Sequence, residues 1–151
     1  MNNLKIKIAS AREALRYVLS HFCEPGYTDY PGITETYAAI SIQDTIDGGF
    51  GFELKENAYC KGVITLYFDD IDEPCKGLTM MTDSQAVQLI DFIQEHREVD
   101  TLLIHCFAGV SRSRAVGVFA AEILGTEPVD EKYYNTHVYN TLRRIWREKY
   151  E

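Results

Sequence analysis

The chain has 151 residues, of which 46% are hydrophobic and 25% charged, and these values are typical of one soluble globular domain spanning residues 1–151. The formal net charge of −8 disfavours a surface for nucleic acid or anionic membrane, since both bind to a basic face. No apolar run reaches membrane-spanning length, and the amino-terminal apolar stretch is too short and too interrupted for a signal peptide. The four cysteines are scattered and form no metal-type pair, so we expect a cytoplasmic protein.

The first elements in chain order are a strand, a helix and a loop. Residues 4–8 alternate between apolar and charged side chains, which predicts a strand. Ser10 and Glu13 have the spacing of a capping box, so a helix should begin at Ala11. Residues 23–32 contain two Pro-Gly pairs, which are typical of turns, and we interpret them as loop.

The middle of the chain predicts two further strands and a second helix. Residues 37–42 and 62–68 are short apolar runs rich in β-branched and aromatic side chains, and we interpret both as strands. Between them, residues 44–55 are rich in glycine and aspartate, which predicts either a hairpin or an excursion close to the functional site. Thr82 and Gln85 form a second possible capping box, which predicts the start of a helix.

The last third of the chain predicts a strand over residues 101–105, a helix that should stop at Gly125, and another helix from about Asn135. Strands that alternate with helices predict an α/β domain of three layers, in which a mostly parallel central sheet is flanked by helices. Ligands of such folds bind beyond the carboxyl ends of the strands. The loop between the strand over residues 101–105 and its helix is therefore the first place to look for a site.

That loop lies within the sequence His105-Cys-Phe-Ala-Gly-Val-Ser-Arg-Ser113. A tight loop that leads into a helix points backbone N–H groups at an anion, and the helix dipole adds positive potential. Arg112 supplies a planar fork that matches two phosphate oxygens. Cys106, beside these groups, is favoured as a thiolate nucleophile, and the Ser113 hydroxyl is placed to hydrogen-bond the sulfur when it leaves.

The pattern His-Cys-x-x-Gly-x-x-Arg-Ser resembles the signature loop of the cysteine-dependent protein tyrosine phosphatase superfamily. The short chain is most similar to compact dual-specificity-type members and to bacterial or phage members, and the resemblance covers about residues 36–145. It implies the flattened α/β phosphatase fold and a cysteinyl-phosphate intermediate, with no metal and no organic cofactor. It also implies that His105 helps to hold the loop. The residues expected to bind the phosphate are Phe107, Ala108, Gly109, Val110, Ser111 and Arg112.

The resemblance further implies a general acid, because the leaving oxygen of a phosphomonoester must be protonated. In the family this acid is an aspartate on a separate loop before the cysteine, and Asp69, Asp70 and Asp72 lie at the expected distance. The family pattern places one variable position between a strand's aromatic residue and the acid. Phe68 and Asp70 match this pattern, so Asp70 is the favoured catalytic acid, with Asp72 and then Asp69 as alternatives.

Between its cysteine and Arg112 the loop carries no charged side chain, which favours a singly phosphorylated substrate over a multiply charged inositol phosphate. We therefore expect a protein tyrosine or dual-specificity phosphatase that acts on phosphorylated proteins or small aryl phosphates and needs no obligate partner. Two alternatives stay open: a non-catalytic phosphopeptide-binding module, and another thiolate enzyme such as an arsenate reductase or a sulfurtransferase. Arsenate reduction needs resolving cysteines, and Cys23, Cys60 and Cys75 are all distant in sequence from Cys106 and are expected to be inert.

Overall fold

The computed structural model of the protein describes residues 3–22 and 34–151, so the loop predicted over residues 23–32 lies outside the described residues. A short 3₁₀ turn, Ile46–Gly48, lies between the second and third strands. None of the described helices is both long enough and apolar enough to cross a membrane. The strands and helices are β1 (Lys5–Ala9), α1 (Ala11–Ser20), β2 (Tyr37–Gln43), β3 (Cys60–Tyr67), α2 (Asp83–Glu95), β4 (Thr101–His105), α3 (Arg112–Leu124) and α4 (Thr136–Lys149).

In the described part of the chain, four strands form one sheet in the order β1-β4-β2-β3, and every pairing is parallel. The prediction of an α/β fold with a mostly parallel sheet is therefore confirmed. Ala9 of β1 and Ser41 of β2 both lie level with His105, the last residue of β4. The carboxyl ends of these strands consequently meet at one edge, directly below the loop that contains Cys106.

Helices cover both faces of the sheet, which gives the expected three layers. Successive side chains of β4 point to opposite faces of the sheet. Leu102 and Ile104 pack into the larger core with α2, α3 and α4. Leu103 packs into a smaller core with Ala14 and Tyr17 of α1. All five residues of β4 are buried, as expected for a central strand of a parallel sheet. This burial on both sides fixes the end of β4, and with it the start of the functional loop.

The predicted helix boundaries are confirmed by their caps. The Ser10 hydroxyl accepts a hydrogen bond from the Glu13 amide, and the Thr82 hydroxyl accepts one from the Gln85 amide, with the reciprocal bonds of a capping box at both sites. Helix α3 stops at Gly125, which adopts the left-handed conformation at φ 66°. Local sequence alone therefore positions three of the helix ends that surround the sheet.

Candidate active site

Cys106 lies in the turn between the end of β4 and the start of α3, and its side chain is buried. Its sulfur accepts a hydrogen bond from the Gly109 amide at 3.3 Å and lies 3.2 Å from the Ser113 hydroxyl. Both groups are donors to a thiolate, and the sulfur also lies near the positive end of the α3 dipole. The structure therefore brings Cys106 and Ser113 together as the sequence predicts, and surrounds the sulfur with groups that stabilise a negative charge.

We call residues 106–111 the Cys106 loop. The loop is supported by the corner between β1 and α1, because the Phe107 carbonyl accepts a hydrogen bond from the Ala11 amide at 2.9 Å. Gly109 adopts a φ of 74°, and a Cβ atom at this position would lie 2.6 Å from the carbonyl carbon of Ala9. Only glycine satisfies both the positive φ and the close approach of the two backbones. The motif glycine therefore sets the distance between the loop and the first strand.

His105 holds the loop from below. Its Nδ1 lies 2.9 Å from the Cys106 carbonyl oxygen and its Nε2 lies 2.6 Å from the Ser41 hydroxyl. A carbonyl only accepts, so Nδ1 carries the hydrogen and Nε2 accepts from Ser41. Burial lowers the pKa of His105, and the nearby Arg112 guanidinium lowers it further, although the bond to the Cys106 carbonyl acts in the opposite direction. The lowered pKa favours the neutral ring, whose two hydrogen bonds connect the Cys106 carbonyl to Ser41.

A chain of hydrogen bonds extends from Ser41 into residues 44–55. The Gln43 side-chain amide donates to the Phe52 carbonyl at 2.9 Å and, more weakly, to the Ser41 hydroxyl at 3.4 Å. The Phe50 amide donates to the Gln43 side-chain oxygen at 2.8 Å, and the Phe50 ring lies 5.5 Å from that of Phe107. Of the two predictions for this stretch, the excursion near the site is correct, because no strand of a hairpin forms there.

Arg112 is buried in the first turn of α3, with 3% of its surface exposed. Its Nη1 lies 2.7 Å from the Phe68 carbonyl oxygen and 2.7 Å from the Asp44 carboxylate. Its Nε is buried and has no hydrogen-bond partner in the described part of the chain. One edge of the guanidinium is thus fixed by the protein, while Nε is a buried donor that a phosphate oxygen would satisfy.

Asp44, which pairs with Arg112, is a site residue that no sequence motif indicated. One signal was available: Asp44 directly follows β2, whose end lies beside the end of β4 in the sheet. Polar side chains that follow neighbouring parallel strands gather at the same edge. The strand order that makes β2 and β4 neighbours is not legible in the sequence, so the signal could be read only after the sheet was known.

Asp70 lies beside the Cys106 loop. Its Oδ1 accepts a hydrogen bond from the Ser111 hydroxyl at 2.7 Å and another from the Asn135 side-chain amide at 2.9 Å. Asn135 begins α4, so this carboxylate is held between two elements that are distant in sequence. The side chain of Asp70 is exposed, so its carboxyl group is accessible to solvent. Its role as the general acid stays a prediction, which these contacts support.

The two alternative acids have different surroundings. Asp69 is buried, and its carboxylate accepts bonds from the Thr45 amide, the Thr45 hydroxyl and the Thr79 amide. Burial alone would raise the pKa of Asp69, but these hydrogen bonds and the charge of Arg112 outweigh it and hold the pKa below its ordinary value. The Asp72 carboxylate lies 3.5 Å from the Thr136 hydroxyl, which is the longest distance that still counts as a hydrogen bond. Asp69 is thus held by hydrogen bonds within the fold, and the weak hydrogen bond of Asp72 is to Thr136 of α4, outside the Cys106 loop.

Ser111, one of the residues expected to bind the phosphate, makes a side-chain contact that the sequence did not predict. It occupies the N-cap position of α3, but its side chain makes no capping hydrogen bond and donates to Asp70 instead. Phe107 and Val110 project to solvent, with 64% and 49% of their surfaces exposed. Their side chains therefore form an apolar rim around the loop. Any contact of these two residues with phosphate, as predicted from the sequence, would be made by their backbone amides.

No cluster of three or more histidine, cysteine, aspartate or glutamate side chains that could hold a metal ion occurs within residues 3–22 and 34–151. No protein-family model and no curated protein matches the chain. Among solved structures, the chain is similar to the crystal structure of Tk-PTP in the active form, with a TM-score of 0.43 and 17% identity. That similarity covers 96% of this chain and 78% of the other. It is too distant to identify an activity, so function has to be argued from the site itself.

Proposed function

We propose that this protein is a phosphomonoester hydrolase of the protein tyrosine or dual-specificity phosphatase type. The observation that supports the proposal is the presence of two buried groups six positions apart, one just after the end of β4 and the other in the first turn of α3. One is the Cys106 thiol, which contacts the Gly109 amide and the Ser113 hydroxyl. The other is the Arg112 guanidinium, whose buried Nε–H has no partner among residues 3–22 and 34–151. A nucleophile beside a fixed anion-binding fork is what phosphoryl transfer to sulfur requires.

In the first step the Cys106 thiolate attacks phosphorus in line with the leaving oxygen. The S–P bond forms, the P–O bond to the alcohol or phenol breaks, and Asp70 transfers its proton to the leaving oxygen. Arg112 and the amides of the Cys106 loop bind the three equatorial oxygens, over which the charge of the transition state is spread. Asp44 and the Phe68 carbonyl hold the guanidinium in place, so little reorganisation accompanies the reaction.

In the second step water attacks the cysteinyl phosphate. Asp70, now a carboxylate, takes a proton from that water, the S–P bond breaks, and inorganic phosphate leaves. The Ser113 hydroxyl donates to the sulfur as its negative charge returns. Neither step requires a metal ion or an organic cofactor. A nucleophile of this type must stay reduced, so we propose that the protein acts in the cytoplasm on phosphorylated proteins.

The test is hydrolysis of an aryl phosphate and of a phosphotyrosine peptide between about pH 5 and pH 8, with a metal chelator present. Wild type is compared with Cys106→Ser, and the exposed Cys75 supplies a matched control in Cys75→Ser. We expect metal-independent turnover that is lost in Cys106→Ser and kept in Cys75→Ser. Turnover of a phosphoserine peptide in the same assay separates dual specificity from tyrosine specificity.

A non-catalytic phosphopeptide-binding module gives a different result. Such a protein would bind phosphotyrosine peptide without turnover, and Arg112→Ala would abolish the binding because the anion-binding fork is lost. Absence of wild-type turnover together with this binding would overturn the proposed enzyme. Turnover that survives Cys106→Ser would instead overturn the proposed nucleophile.

A further inference from the structure

We propose that Asn135 is a positioning residue that orients Asp70, so that Oδ2 of this carboxyl group carries the proton delivered to the leaving oxygen. The inference rests on the proposed function and extends it. Asn135 is 5% exposed, and its Nδ2 donates to Asp70 Oδ1 at 2.9 Å and to the Ile71 carbonyl at 3.1 Å. One amide group therefore contacts both the carboxylate of the acid and the backbone of the loop that carries it.

The orientation of the Asn135 amide is fixed by chemistry. Its Oδ1 accepts a hydrogen bond from the Val138 amide at 2.9 Å, which caps the start of α4. Only the oxygen accepts from an N–H, and only the NH₂ group donates to the Asp70 carboxylate and the Ile71 carbonyl. A flipped amide would lose all three bonds. The backbone amide of Asn135 also lies 3.3 Å from the Ser111 carbonyl, so the Cys106 loop and α4 are held together at this residue.

The two donors on Asp70 determine which oxygen carries the proton. Both the Ser111 hydroxyl and the Asn135 amide donate to Oδ1, at 2.7 Å and 2.9 Å. A proton on Oδ1 would face these two donors and displace at least one of them. The proton of the acid form therefore resides on Oδ2. In the second step the same contacts keep Oδ2 directed at the attacking water.

The positioning role can be separated from the capping role by Asn135→Ser. Serine is as good an N-cap as asparagine, so α4 keeps its start, and the lost bonds to Asp70 and Ile71 should lower the melting temperature by only about 2–4 °C. The shorter hydroxyl cannot reach Asp70 while it caps the helix. Asn140→Ser, an exposed change on the same helix, is the matched control.

The decisive readout is how the loss depends on the leaving group. We expect Asn135→Ser to lower kcat/KM about 10-fold to 100-fold for a phosphate ester with a poor leaving group, because a misplaced acid costs about this much. An activated aryl phosphate, whose leaving group needs little protonation, should lose much less. Asn140→Ser should match wild type with both substrates. In the Asp70→Asn background, Asn135→Ser should cause no further loss, since the group that it orients has gone.

These measurements distinguish failure of the positioning role of Asn135 from failure of the proposed phosphatase activity. Equal losses with both substrates would show that Asn135 supports the fold only, and would overturn its positioning role while leaving the phosphatase proposal intact. A further loss in the Asp70→Asn background would overturn it in the same way. Absence of turnover in wild type would overturn the proposed function, and the role of Asn135 with it.

Discussion

Gly109 packs so closely on Ala9 that a methyl group on the glycine would lie 2.6 Å from the Ala9 carbonyl carbon. The loop that carries the nucleophile is therefore fitted to the end of the first strand, backbone against backbone. Backbone atoms cannot rotate away as a side chain does, so any side chain at this position must displace either the strand or the loop.

The change Gly109→Ala tests this fit. We expect it to destabilise the protein by about 2–4 kcal/mol, from the positive φ and the steric overlap together, and to lower aryl phosphate turnover at least about 10-fold. Gly125→Ala is the control, because Gly125 has a similar φ of 66° but nothing within 4 Å of an added Cβ. It should cost about 1 kcal/mol and leave turnover unchanged. Urea denaturation and steady-state kinetics measure both, and equal effects of the two changes would contradict the close fit.

Substitutions of the neighbouring residues Asp69 and Asp70 should have different effects: the first should lower stability, and the second should lower turnover. Asp69→Asn replaces an acceptor of three hydrogen bonds, so we expect a loss of about 1–3 kcal/mol in the free energy of unfolding. Asp70→Asn, at an exposed position, should cost less than about 1 kcal/mol. It should nevertheless lower turnover of esters with poor leaving groups by about 100-fold or more. If Asp69→Asn caused the leaving-group-dependent loss instead, the assignment of the acid would be wrong.

The stability of the protein should depend on pH through His105. Burial lowers the pKa of this imidazole from its ordinary value of 6.5, so below that pH the unfolded state binds more protons than the folded state. The free energy of unfolding should therefore fall as the pH falls through about 6.5, by up to about 1.4 kcal/mol per pH unit for this single group. His105→Gln should flatten the dependence, and groups common to both proteins cancel in the difference. Parallel curves would show that His105 does not contribute.

The ion pair between Asp44 and Arg112 should contribute more to stability and to phosphate binding than an exposed ion pair with a similar N–O distance. Asp44→Ala removes an anchor of a buried guanidinium, so we expect a loss of about 1–3 kcal/mol and about 10-fold weaker inhibition by inorganic phosphate. The control is Asp83→Ala, which breaks the exposed pair with Arg144, where the distance is 2.6 Å. That change should have no measurable effect on either quantity. Tighter phosphate binding in Asp44→Ala would show instead that this carboxylate competes with the substrate.

The other cysteines should be dispensable for turnover. Cys60 lies at the amino end of β3, level with Tyr37 and so with Thr101, about 16 Å along the strands from Cys106. Burial raises the pKa of the Cys60 thiol, which lowers its reactivity. The triple change Cys23→Ser, Cys60→Ala and Cys75→Ser should therefore keep the aryl phosphatase rate within about 2-fold, measured with reductant present. Loss of turnover, with the melting temperature retained, would point to a thiol relay instead.

Local sequence patterns predicted the helices and strands well, but they could not predict contacts between residues that are distant in sequence. The starts of α1 and α2 follow from Ser10 and Thr82, because a capping box is complete within four residues. The contact between Ser113 and Cys106 was likewise expected, since the two residues are only seven positions apart in one strand-loop-helix motif. Asp44 meets Arg112 only because the strand order makes β2 and β4 neighbours.

Asn135 illustrates the same limit in another way. Sequence placed it at the start of a helix, which is correct, but its second set of bonds, to Asp70 and Ile71, depends on how α4 packs beside the Cys106 loop. Ser111 occupies the N-cap position of α3, where serine commonly caps a helix, but its hydroxyl donates to Asp70 instead. In both cases a side chain of a type that commonly caps a helix forms a hydrogen bond to a residue that is distant in sequence, and only the tertiary structure brings the two together.

The pairing of β1 with β4 has a consequence for the order in which the protein folds. These are the first and last strands of the chain, and they pair along their whole length, from Lys5 with Thr101 to Ala9 with His105. Closing so long a loop costs chain entropy before any contact repays it, so this pairing should be among the late events. The carbonyl of Phe107 gains its partner at Ala11 only when the two strands have met. The cysteine motif is therefore present from the moment of synthesis, whereas the packing that holds its loop against the first strand arises at the end of folding.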